Sequence, residues 1–126
     1  MTDVHTALRN LLLADLGITG TVDTRIYPMQ LPLDCTLPAI SIHRISNPID
    51  HLTDVCTPRF QVSCWTKDYS QSQQLRDMVI DCLNRFRGIQ DGVHIKRIVY
   101  LEATDMYEDR TGIYHIPIDF KIIHTR

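Results

Sequence analysis

Between Arg59 and Phe86 the chain changes its hydrophobic period, and this limits the folds it can adopt. Phe60, Val62 and Cys64 alternate with Gln61, Ser63 and Trp65, as in a strand with one buried face. Leu75, Met78, Val79, Cys82, Leu83 and Phe86 then recur at the spacing of an amphipathic helix. Lys67-Asp68-Tyr69-Ser70 makes the turn between them. Ser70 with Gln73 three residues on reads as a capping box, so a helix is expected over 70–86. The unit is a strand, a short turn and a capped helix. It contains no glycine-rich phosphate loop, nucleophile elbow or metal pair, and it reads as scaffold.

The other segments supply its partners. Residues 3–16 form an amphipathic helix capped by Thr2 or Asp3. Its stripe is Val4, Ala7, Leu8, Leu11 and Leu12, and Gly17 is the expected stop. Arg25-Ile26-Tyr27 is a short extended piece in an irregular, proline-containing stretch. Residues 39–46 alternate as a strand. Residues 47–57 are polar and open on Asn-Pro, which predicts a long protruding connection in a hairpin. Residues 93–103 form a strand whose apolar phase slips, which predicts a bulge near Lys96-Arg97. Residues 105–112 read as a charged turn.

In the last strand Tyr114, Ile116, Ile118, Phe120 and Ile122 share one face. Pro117 lies on the other; it cannot donate to a ladder, which predicts an edge strand, or one with a side unpaired in the monomer, open to another chain. The expected fold is α+β: a mainly antiparallel sheet of about four strands with two amphipathic helices on one face. The 126 residues read as one domain, 1–126.

Composition narrows the function classes. Thirteen Lys and Arg against fifteen Asp and Glu give a net charge of −2, with no basic excess for a nucleic-acid platform. Arg44, Arg59, Lys67, Lys96 and Arg97 read as solvated or ion-paired. No apolar run approaches the roughly 18 residues of a membrane span. Cys35, Cys56, Cys64 and Cys82 fit no common zinc spacing and read as small buried hydrophobes. His43, His94 and His115 lie on strands and would make a metal site only if they converged. Asp50, His51 and Asp54, or Asp105, Glu108 and Asp109, would serve acid–base chemistry only inside a pocket. The expectation is therefore no catalytic residue, no metal and no cofactor. The candidate interface residues are Asp50, His51 and Asp54 in the long loop, Trp65 on the polar face of its strand, and Pro117 on the expected edge.

In order, the segments RIYP (25–28), LPAISIHRIS (37–46), RFQVSCWTKDYSQSQQLRDMVIDCL (59–83) and YEDRTGIYHIPIDFKI (107–122) resemble the small tail-completion, or tail-terminator, proteins of long-tailed bacteriophages. The resemblance covers about residues 4–123. The chain departs from it in a long proline-rich 28–38 segment and a polar 47–57 loop. The resemblance implies a non-enzymatic virion protein at the head-proximal end of the tail, assembled in the host cytoplasm. It implies a hexameric ring that caps the tail tube, halts its polymerisation and joins the head-tail connector protein. DNA would pass through such a ring without specific binding, and no membrane is involved. Another neck or head-closure connector is the nearest alternative. An unrelated enzyme or small-molecule binder is more distant.

Overall fold

The computed structural model describes residues 3–46, 48–50 and 52–125, with backbone pairing alone at positions 49 and 50. Among these residues three helices, α1 (Val4–Leu13), α2 (Leu16–Val22) and α3 (Tyr69–Leu83), lie on one face of a curled mixed sheet of nine strands. The strands are β1 (Ile26–Pro28), β2 (Ala39–Ser46), β3 (Ile49–Asp50), β4 (Val55–Cys56), β5 (Arg59–Thr66), β6 (Gly88–Gln90), β7 (Val93–Ala103), β8 (Met106–Glu108) and β9 (Ile113–Thr125). The class is α+β as expected, but four strands and two helices understate it. The additions are short: β1, β3, β4, β6 and β8 span only two or three residues each. Such pieces carry too few alternations to announce themselves.

The alternation of β5 and β9 builds the core directly. Phe60, Val62 and Cys64 meet Phe120, Ile118 and Ile116 across the β5–β9 ladder, and all six are fully buried. Leu75, Val79 and Leu83 of α3 and Ala7, Leu8 and Leu12 of α1 close over them. Met78, Cys82 and Phe86 pack at the margin of the same cluster. The strand faces, and the helical stripe as far as Leu83, are therefore those read from the periodicity; α3 ends three residues short of the expected 86, and Phe86 packs from the segment beyond it.

Three local expectations need correction. The first turn of α3 is capped by Asp68, whose carboxylate accepts from the Ser70 amide at 3.2 Å. Ser70 is inside the helix and no capping box forms. Gly17 does not stop α1; it lies in α2, which Asp15 caps by accepting from the Ile18 amide at 3.1 Å. A Cβ at Gly17 would meet the Met78 sulfur at 2.9 Å, so its smallness lets α2 approach α3. The 47–57 connection is also more ordered than a loop. β3 pairs with β4, and β4 pairs with β9 beyond the end of β5. The Thr57 amide donates to the Pro48 carbonyl at 3.0 Å across the interruption. β2 and β3 on one arm and β4 and β5 on the other thus form a hairpin, broken where Pro48 and Pro58 cannot donate.

The largest correction concerns the last strand. β9 is not an edge; it pairs with β5 on one side and with β7 and β8 on the other. Pro117 is tolerated because of where its missing donor points. Its carbonyl accepts from the Thr104 amide at 3.2 Å, so the absent N–H faces the gap between β7 and β8. On the β5 side it stands opposite Ser63, and no proton is required of it. The bulge expected in β7 is present between Ile95 and Arg97, and a second lies between Tyr100 and Glu102.

Candidate assembly surfaces

On the sheet face away from the helices, the β2–β5–β9 register sets Ala39, Trp65 and His115 in one row and Ser41, Ser63 and Pro117 in the next. The Trp65 indole stacks on His115 with centroids 3.7 Å apart and planes 8° from parallel. Its N–H donates to the Ser41 hydroxyl at 3.0 Å. Burial lowers the His115 pKa, since Nε2 is enclosed without a hydrogen-bond partner. Next along the face, Asp119 accepts from Arg59 and Gln61, both at 3.1 Å. This polar layer bonds largely within itself, with the Arg59 Nε and His115 Nε2 enclosed but unpartnered, and the Trp65 N–H is taken up by Ser41.

The remaining sequence candidates do not converge. Asp50 lies in β3, its backbone paired with Val55. Asp54 adopts a left-handed conformation in the turn, φ 56°. His51 lies outside the described residues. His43 stands opposite Gln61, His94 opposite Ile89 on the rim, and His115 opposite Trp65, so the register holds the three histidines apart. Asp105 accepts from Gln73 at 3.1 Å and lies 3.9 Å from Arg76, as a tether between the β7–β8 link and α3. Among the described residues no group of three His, Cys, Asp or Glu side chains could hold a metal ion. All four cysteines are free. Burial pushes the Cys64 thiol up to about 12 and the Cys82 thiol to about 11, which keeps both neutral. A cleft of about 910 Å³ between the 31–37 segment and the start of α3 is lined by Leu31, Leu33 and Leu37 beside Lys67, Asp68 and Gln71. It pairs no acid with a base in a buried setting. No helix among the described residues is long and apolar enough to cross a membrane.

The surfaces that sequence reading missed are sheet edges. β1 is closed on its outer side: the Ile26 amide donates to the Thr24 carbonyl at 2.8 Å, and Arg9 donates to the Ile26 carbonyl at 3.0 Å. Pro28 has no donor to offer. The middle of β7 is covered by the chain leaving α3. Arg85 donates to the Ile98 carbonyl at 2.7 Å, Ile98 to the Phe86 carbonyl at 3.1 Å, and the Tyr100 amide to the Asn84 side chain at 3.1 Å. Beyond this cover, β8 pairs with β9 alone and all three of its residues are exposed. Ladder alternation turns the Tyr107 N–H and carbonyl outward. Tyr107 and Tyr69 both lean on Tyr114, with centroids 4.7 and 5.5 Å away, so the open edge carries an aromatic cluster. The acidic 105–109 stretch read as a turn because three residues show no period.

No curated protein matches the chain. Among solved structures, a chain from the virion of a native gene transfer agent particle has the same fold. Its TM-score is 0.83 at 16% identity, over 98% of this chain and 95% of that one. The sequence itself matches the family described as tail completion protein gp17 over residues 6–125, nearly its whole length. The chain belongs to that family, and it is a structural protein of the virion tail.

Proposed function

We propose that the protein is a non-enzymatic tail terminator: copies join into a ring, hexameric in keeping with the family resemblance, that caps the tail tube. The ring stops tube polymerisation and offers its other face to the head-tail connector protein. The observation that carries this reading is the family match across residues 6–125. The architecture supports it. A well-packed core and a self-bonded polar face leave the open rim of the sheet as the surface suited to neighbours. A closed ring needs two different patches on each subunit, and the rim is long enough to hold both. The β3–β4 pair with Asp50 and Asp54 remains a candidate for tube or connector contact, since β4 extends the sheet at the end of β9 opposite β8. Trp65 ties β2, β5 and β9 through Ser41 and His115, and Pro117 lies inside the sheet with no open edge beside it.

Sedimentation of the purified protein with preformed tail tubes tests this role. Binding that saturates at a number of copies proportional to tube ends supports it. Binding proportional to tube length, or none at all, contradicts it.

A further inference from the structure

Two stretches of the sheet rim carry opposite charge that the subunit itself leaves unpaired. Residues 85–97 hold Arg85, Arg87, Lys96 and Arg97 against the single acid Asp91, and all four cations are exposed. Residues 101–109 hold Glu102, Asp105, Glu108 and Asp109 with no cation among them. Only Asp105 has an ion-pair partner, Arg76; among the described residues the other eight acids and bases in these stretches make no ion pair, and Asp91 accepts from the Asn10 and Gln90 amides. Each stretch also presents an open strand. Among the described residues β8 pairs only with β9, and β6 only with β7. Each carries exposed apolar groups inside its charges: Leu101, Met106 and Tyr107 on the acidic rim, Ile89 on the basic one.

An apolar centre ringed by charge is the general make-up of a protein interface. With a net charge of only −2, this segregation is not a consequence of composition. Like charges held together on one rim cost self-repulsion, which a complementary surface removes. The two rims occupy opposite ends of the β7–β8 run and are not interchangeable, as a heterologous contact requires.

We infer that neighbouring copies of this chain associate by setting the acidic 101–109 rim of one against the basic 85–97 rim of the next. This rests on the reading that the protein assembles with itself, and it names the two surfaces used. The basic rim is then occupied by protein, and it is not a DNA-binding patch.

Charge reversal tests the pairing. Wild type, E102K/E108K and R87E/K96E are compared by sedimentation velocity at low and high salt, after thermal melts confirm that each is folded. The wild type associates at low salt and weakens as salt screens the contact over about 10 Å. Each variant alone loses association by about tenfold or more. An equimolar mixture of the two recovers it, because every contact again joins opposite charges. If a reversal prevents folding, E102Q/E108Q is substituted and a smaller loss is expected. A wild type that assembles while both variants do so equally well overturns the inference and leaves the ring reading standing. A wild type that stays monomeric under all conditions, alone and with tail tubes, overturns both. Variants that fail to complement, or basic-rim variants that lose only duplex DNA binding, also overturn the inference.

Discussion

The Trp65 ring lies flat on His115, 3.7 Å between centroids, on the face of the sheet that carries no helix. The pair bridges β5 and β9, and the Ser41 hydroxyl holds the indole from β2, so three strands are tied at one level. Replacing Trp65 with Phe keeps a stacked ring but removes the donor to Ser41. A loss of about 1–2 kcal/mol in urea unfolding is expected. An unchanged midpoint would mean that the indole is held by stacking alone.

The same pair gives a pH dependence. Burial lowers the folded pKa of His115 below its ordinary value of about 6.5. The unfolded chain therefore binds the proton more readily than the folded one. The stability that follows is fully present above the unfolded pKa and is lost as pH falls from there toward the folded pKa. Urea midpoints measured from pH 7.5 downward should fall through this window in the wild type. They should fall less in His115→Gln, and equal slopes would rule His115 out as the cause.

The centre of the core makes a sharper demand. Phe120 and Ile118 are fully buried on β9 opposite Phe60 and Val62. Ile118→Ala or Phe120→Ala should cost about 2–5 kcal/mol in equilibrium unfolding. A cost near zero would show that the sheet face is misassigned.

Pro117 should behave in the opposite way. Its missing donor faces the gap between β7 and β8, so restoring an N–H gains no ladder partner. Pro117→Ala should shift stability by less than about 1 kcal/mol, the size of its effect on unfolded-chain entropy. A large gain in association would instead revive the idea that this position limits an open edge.

The sequence was legible wherever a segment was long enough to show its period. Ala39–Ser46, Arg59–Thr66, Val93–Ala103 and the stripe of α3 all appear where alternation or helical spacing put them. The bulge beside Lys96 was visible because the apolar phase slipped there. Pro117 misled because proline on a strand argues for an edge in general. The actual reason, a donor facing the break between β7 and β8, depends on register between residues far apart in sequence. Trp65 was correctly placed on the polar face, but its partner His115 is 50 positions away and could be named only after β5 and β9 were aligned. Gly17 shows the same limit on a smaller scale: it stands in the first turn of α2 against Met78, and does not end α1. The open edge at β8 was hidden because acidic residues around a three-residue strand look like a turn.

The most direct measurement is the length of tail tubes grown from purified tube protein with increasing amounts of this chain, read by negative-stain electron microscopy. A terminator shortens the mean tube length in a dose-dependent way and leaves a ring of density at one end of each tube. Unchanged tube lengths with bare ends, from a folded protein, would contradict the account.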